Sequence, residues 1–290
     1  MNTSKPLENY FEKMSLIILY QRRMRDALQR EVEYLVELKE KEKKAPPDEK
    51  ENFIMHDYMG FLSIKGLKYF GENISRIDER ISFTIEQKNK LYQWLLVDAF
   101  ENFETFLKET YALAGYIDNS IWVCEDFGKI SLEEIQNKSF AWFLKQSKNK
   151  HHRDPAISIL NRLRVVFPEL EKIEAENSLN INFKLALILI MQFRHVIVHR
   201  SGEIIDKEEF TQNVFRKAGL SQNETHNRFV KHFYENMLAT NQIELFELKV
   251  GIGRYDRFAH LLKILLAYAD FISEKIVSLN TNEATLSPSP

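Results

Sequence analysis

Cysteine is nearly missing from this chain of 290 residues: Cys124 is its one thiol. A single cysteine excludes an intramolecular disulfide, and no CxxC pair exists to hold zinc, so a reducing compartment is the natural reading. Glycine (9) and proline (7) are scarce as well. All-β folds use those residues in their turns, so the shortage argues for long helices. Long hydrophobic runs are also wanting. The longest, 185–191, is closed by Lys184 and Gln192, far short of the roughly 20 residues that span a bilayer. The polar start, 1–6, leads into an amphipathic stretch and not into the apolar core of a secretory signal. Neither sign of charge dominates, the formal net charge being -2. No global field therefore draws nucleic acid, and any such site must be a local patch. The expectation is an all-α helical bundle, cytoplasmic, with no membrane partner.

What is present is helical periodicity. Met14, Ile17, Met24, Leu28, Leu35 and Leu38 recur at three- and four-residue steps and predict one helix over 7–44. Ala45-Pro46-Pro47-Asp48 stops it, because proline has no N–H to donate and restricts the residue before it. Taken alone, that helix would suit a coiled-coil adaptor. Residues 53–82 are apolar but punctuated by Gly60, Gly66 and Gly71, which predicts broken helices. From 85 to 116 Leu91, Leu95, Phe100, Phe103, Phe106 and Tyr111 cover a wide apolar face. A loop over 118–130 and a capping box at Ser131 and Glu134 follow. Further helices are expected over 157–167, 183–200, 207–218, 223–240 and 255–279, with a strand or extended arm at 243–250. The division expected is 1–44 as a long helix, 45–82 as linker, 83–279 as the main helical domain, and 280–290 as a disordered tail.

Two stretches carry chemistry. Residues 138–164 are basic, with Lys145, Lys148, Lys150, Arg153, Arg162 and Arg164 near Trp142. Such a set can hold phosphates and stack a base, and it equally suits an ordinary solvated face. The second stretch is sharper. A helix apolar nearly all round ends in Phe193-Arg194-His195-Val196-Ile197-Val198-His199-Arg200-Ser201-Gly202. Charge buried without a partner is costly, so Arg194, His195 and His199 must face a cleft, an interface or an ion-pair partner such as Glu101 or Glu104. His195 and His199 share one helix face, whereas Arg194 and His199 stand about 140° apart on an ideal helix. A distorted last turn, a long reach by Arg194 or a second copy would unite them. Histidine can move a proton near neutrality, and arginine forks onto phosphate oxygens. Together they suit RNA cleavage by its own 2′-hydroxyl, without metal. A zinc ion shared by His195 and His199 is the competing reading, but zinc needs a third protein ligand.

Arg194-His195-x-x-x-His199 resembles the signature of the HEPN superfamily (higher eukaryotes and prokaryotes nucleotide-binding): an arginine, a polar residue, then a histidine after four to six intervening residues. The likeness covers 85–218 and includes the helix bearing Asp98, Glu101 and Glu104. It implies a four-helix bundle that dimerises with two motifs facing each other. The implied activity is a metal-independent, cofactor-free endoribonuclease leaving a 2′,3′-cyclic phosphate. Arg194 would bind phosphate, His195 would be the auxiliary polar residue and His199 the acid–base. The implied setting is a toxin–antitoxin or antiphage abortive-infection system. RNA, a second copy and an antitoxin or defence-system protein are the implied partners. Other relatives are non-catalytic RNA-binding or scaffolding units, the second reading for this chain.

Overall fold

A computed structural model of the chain describes residues 3–150, 154–235, 241–250 and 253–285. Helix α1 (Lys5–Lys44) stops just before Pro46 and Pro47, which open a 3₁₀ turn (Pro47–Phe53). The next stretch corrects the expectation of broken helices. β1 (Met55–Ser63) and β2 (Gly66–Ser75) form an antiparallel hairpin. Gly66 takes φ 99° just after the two-residue turn Ile64-Lys65, a conformation that suits glycine. Gly60 and Gly71 flank the register shift at Met59/Gly60, where a bulge kinks the ladder. The glycines thus punctuate strands. The chain is mostly helical, not wholly so.

After α2 (Ile77–Ile117) and a 3₁₀ turn (Asn119–Ile121) come α3 (Cys124–Phe127), α4 (Leu132–Ile135), α5 (Phe140–Lys150), α6 (Pro155–Val166) and α7 (Glu169–Ala175). Then follow α8 (Phe183–Arg200), α9 (Lys207–Ala218), α10 (Glu224–Lys231), the antiparallel pair β3 (Glu247–Val250) and β4 (Gly253–Asp256), and α11 (Arg257–Thr285). The expected loop over 118–130 holds a turn and α3. The strand alternative for 243–250 is met by β3. Helix α10 ends at Lys231, short of the expected 240, and 236–240 lie outside the described residues. Helix α11 runs into the expected tail, and 286–290 lie outside the described residues. No described helix is long and apolar enough to cross a membrane.

The chain divides into two compact units, Met1–Ile18 with Gln93–Pro290 and Leu19–Tyr92. Both long helices, α1 and α2, contribute to both units. In the first unit, Tyr10 of α1 sets its ring 5.2 Å from Phe106 of α2. Tyr268 of α11 stacks on Phe183 at 5.3 Å and on Phe103 at 6.1 Å. Its hydroxyl donates to Glu174, which also accepts from Arg164 Nε at 2.9 Å and Nη2 at 2.8 Å. In the second unit, Leu28, Leu35, Ile77 and Tyr92 are buried, Gln21 Nε2 donates to the Tyr92 hydroxyl at 3.1 Å, and Arg80 bonds Asp57.

The end of α8 is fixed by glycine. Ser201 and Gly202 both take positive φ, 52° and 84°. A Cβ at Gly202 would stand 2.3 Å from Oε1 of Gln93. Gln93 is buried and donates to the Ile243 carbonyl at 2.7 Å, while the Gly202 carbonyl accepts from the Ile243 N–H at 2.9 Å. Gly202→Ala therefore combines backbone strain with overpacking and is expected to lower unfolding free energy by about 2–4 kcal/mol. At Gly66, φ is 99° but nothing lies within 4 Å of an added Cβ. Gly66→Ala should lose only the backbone share, about 1–2 kcal/mol. Denaturant midpoints compare the two, and equal losses would remove Gln93 from the explanation.

Candidate functional site

Helix α8 starts on Asn182, whose Oδ1 accepts from the Leu185 N–H at 2.8 Å, a standard way to satisfy a free N–H of the first turn. Leu185 through Ile190 are all buried, so the helix runs through the core and has no solvent face there. Phe193 anchors its far end, stacked on Phe210 of α9 at 5.7 Å and edge-on to Phe233 at 5.7 Å. Beyond Phe193 the helix emerges. Arg194 is half-buried, while His195, Val198, His199 and Arg200 are exposed. At the exit the Ser201 N–H reaches back five residues to the Val196 carbonyl, which also accepts from Gly202 at 3.2 Å. The last turn is therefore wider than an α turn, a common way for a helix to end at a left-handed cap.

The two histidines meet as their spacing requires, with ring centroids 4.7 Å apart. Arg194 turns the other way. Its Nη2 donates to Glu101 of α2 at 3.2 Å, and its Nε is buried with no hydrogen-bond partner. The Glu101 pair is about a third to a half exposed and contributes only about 0–1 kcal/mol. It orients the guanidinium without locking it. Arg194 and His195 both line a half-open cavity of about 690 Å³, together with Glu104, Asp154, Arg200, Asp206, Glu209 and Lys217. His199 is not part of that lining. One chain thus brings His195 to both partners but leaves Arg194 and His199 on different sides of it, as the 140° separation foretells.

Burial first, then the positive charge of His199, Lys217, Arg200 and Arg194, pushes the His195 imidazole below its ordinary pKa. His195 therefore holds its proton less readily than a free imidazole, and the cavity beside it mixes three cations, Arg194, Arg200 and Lys217, with four carboxylates, Glu104, Asp154, Asp206 and Glu209. Burial raises the Glu104 carboxyl above its usual range, against the pull of Lys108 and Arg194. Sequence reading missed Lys217 and Arg200. Lys217 arrives because α9 folds back along α8 after a six-residue connection, bringing its Nζ to Gln192 Oε1 at 3.2 Å, beside Asn213 Nδ2 at 3.0 Å. The shortness of that connection was the available signal, since short links join antiparallel helices.

The basic stretch is divided between two helices. Lys145, Lys148 and Lys150 are exposed on α5, and Arg162 is exposed on α6. Arg153, His151 and His152 lie outside the described residues. Arg164 corrects the expectation: its side chain is 9% exposed and doubly bonded to Glu174, so it holds the fold together and is closed to phosphate. Trp142 is half-buried, edge-on to Phe143 at 5.1 Å.

Among the described residues no group of three or more His, Cys, Asp or Glu could hold a metal ion. Among those residues the zinc alternative finds no third ligand. His232 and His260 lie elsewhere, grouped around Tyr255, with His232 Nε2 buried and unbonded. Burial lowers both imidazoles, with Arg257 and His260 adding for His232 and Lys263 for His260. A histidine whose folded pKa is depressed stabilises the fold above its unfolded pKa, about 6.5, and that contribution fades as pH falls below it. The melting temperature is expected to drop on acidification through this window, and less so in His232→Phe. Parallel melts at a series of pH values check this; an identical pH dependence in the variant would absolve His232.

Compared with known proteins, the chain matches no family model, no curated protein and no solved structure.

Proposed function

We propose that the end of α8 is the active site of a HEPN-type endoribonuclease that cleaves RNA by attack of the 2′-hydroxyl. The observation that carries this reading is the cluster itself. A buried helix carries Arg194, His195 and His199 to its emerging end, with the two imidazoles together and Arg194 on another side, and Arg194 and His195 line a cavity that Arg200 and Lys217 border beside four carboxylates. In the proposed reaction Arg194 holds the phosphate oxygens, displacing the weak Glu101 pair, and steadies the charge that grows on them. His199 exchanges the proton of the 2′-hydroxyl or of the leaving 5′-oxygen. His195, its pKa lowered by burial and then by its cationic neighbours, is the auxiliary polar residue that connects the two. The residues ask for no metal or cofactor in these steps. Because Arg194 and His199 diverge on one helix, a homodimer with two motifs side by side is part of the proposal. So is a place in toxin–antitoxin or antiphage defence in the cytoplasm, with an antitoxin or defence-system protein as a further partner.

The Arg194–Glu101 pair favours a second reading, a non-catalytic HEPN-like RNA-binding or scaffold protein. Incubating the protein with RNA in EDTA, beside Arg194→Ala and His199→Ala, separates the two. Cleavage that both substitutions abolish supports the enzyme. RNA binding without cleavage supports the scaffold.

A further inference from the structure

The second unit, Leu19–Tyr92, carries the β1–β2 hairpin, which changes character from base to tip. Its acids stand at the base with partners. Asp57 is bonded to Arg80, and Glu72 Oε1 lies 2.8 Å from His56 Nδ1. Farther out come the aromatic side chains of Phe61, Tyr69 and Phe70, each at least half exposed. The tip is aliphatic. Leu62 is 82% exposed, Leu67 opposite it is exposed, and Ile64 in the turn is fully exposed. Of the hairpin's exposed apolar and aromatic groups, only Tyr58 and Ile74 stand level with the acids.

Both faces of the outer part are apolar. Phe61 and Phe70 approach each other on one, with ring centroids 6.1 Å apart. On the other, Tyr69 lies over Gly60, and Leu62 faces Leu67 across the ladder. Between Asp57 and Glu72 the sequence holds no acid, while Lys65 and Lys68 are both exposed there. The turn also satisfies its own polar groups: Ser63 Oγ accepts from the Lys65 N–H at 3.1 Å and donates to the Gly66 carbonyl at 2.9 Å. Taking such a turn out of water costs less than exposing unbonded groups to an apolar medium.

We propose that the hairpin tip docks on an anionic lipid bilayer. Leu62, Ile64 and Leu67 enter the boundary between headgroups and acyl chains, Phe61, Tyr69 and Phe70 sit among the headgroups, and Lys65 and Lys68 meet lipid phosphates. The first argument is that lipid surrounds what it holds. A flat protein surface covers one face of a ribbon, whereas both faces and the turn are apolar here. The second is the order along the hairpin, since aliphatic, aromatic and acidic groups follow one another as a membrane interface requires. Charge is the third: a tip with two lysines and no acid complements an anionic surface. The seat is shallow. A two-stranded ribbon has an unpaired edge on each side, which the hydrocarbon core does not accept. The aliphatic groups lie within about 7 Å of the turn, which matches the roughly 5–10 Å depth of interfacial segments. Lysine stems let the ammonium groups reach back to the headgroups. The absence of a membrane partner was expected from the lack of a spanning run, and surface docking needs no such run. The proposal does not rest on the ribonuclease reading, since its residues belong to a different unit from Arg194 and His199.

Co-sedimentation with vesicles, without RNA, tests it. Wild-type protein is expected to pellet with phosphatidylcholine vesicles containing phosphatidylserine, and far less with phosphatidylcholine alone. Lys65→Gln with Lys68→Gln should weaken that binding about 25-fold, each lysine near an anionic surface being worth roughly fivefold. Leu62→Asp with Ile64→Asp should stay in the supernatant with unchanged helical circular dichroism; Leu62→Ser with Ile64→Ser serves where it fails to fold. Wild type that ignores both vesicles overturns the proposal and leaves the hairpin to a protein partner. Binding that survives the Leu62 and Ile64 changes overturns it by placing the lipid contact elsewhere. Binding indifferent to phosphatidylserine and to both lysines overturns the anionic assignment. Wild type that pellets without vesicles, where the hairpin variant does not, overturns it in favour of self-association.

Discussion

His199→Ala is expected to lower RNA cleavage in EDTA by about 10²–10⁴-fold, the usual effect of losing a proton-transfer group. Arg194→Ala should lose about 10²–10³-fold, the range for removing one preorganised donor to a developing oxyanion. Neither change should disturb the fold. His199 is exposed, and the half-exposed pair that Arg194 makes with Glu101 contributes about 0–1 kcal/mol. Melting curves of the two variants should therefore overlay the wild type while activity collapses. Arg194→Lys adds discrimination. It keeps the charge but loses the planar fork, so an account based on bidentate phosphate contact requires it to stay impaired. If charge alone were enough, lysine would restore most of the rate. Equal cleavage by wild type, Arg194→Ala and His199→Ala would mean that the activity comes from elsewhere.

Glu174→Ala is expected to cost about 3–5 kcal/mol of stability, the largest single effect on the fold. Glu174 accepts from Arg164 and from the Tyr268 hydroxyl, and all three are buried or nearly so. Burial, then the Glu174 carboxylate, holds the Tyr268 hydroxyl far above its ordinary pKa, so it stays a donor at any working pH. Removing the carboxylate leaves a guanidinium and a phenol without their acceptor inside the protein. Chemical denaturation reads the loss. The triple variant Glu174→Leu, Arg164→Leu, Tyr268→Phe removes donors and acceptor together and should recover much of it, because well-packed apolar groups often replace a buried pair at little cost. A Glu174→Ala protein as stable as wild type would show that Arg164 finds another partner, and would reopen its assignment as a structural residue.

The parts of the fold legible in the sequence were those where one signal stood alone. Helix α8 was readable to its ends, because Asn182 caps it, Gly202 closes it and apolar residues fill what lies between. Helix α9 and the capping box at Ser131 were equally plain. The β1–β2 hairpin was not. Its bulge breaks the two-residue alternation, both faces are apolar, and the glycines that shape it also read as helix breakers. At the site, the pairing of His195 with His199 followed from helical spacing, and Glu101 was one of the two partners, with Glu104, expected for Arg194. Arg164 was misread because a basic composition over 138–164 says nothing about which cation meets a buried carboxylate from a later helix. Lys217 was missed because its place depends on how α9 returns along α8.

The chemistry at the ends of the RNA fragments tests the central claim most directly. Mass spectrometry of products formed in EDTA is expected to show a 2′,3′-cyclic phosphate on one side of each cut and a 5′-hydroxyl on the other, with no cut at a position carrying a 2′-deoxyribose. Fragments ending in a 3′-hydroxyl, or cleavage that proceeds without the 2′-oxygen, would contradict it.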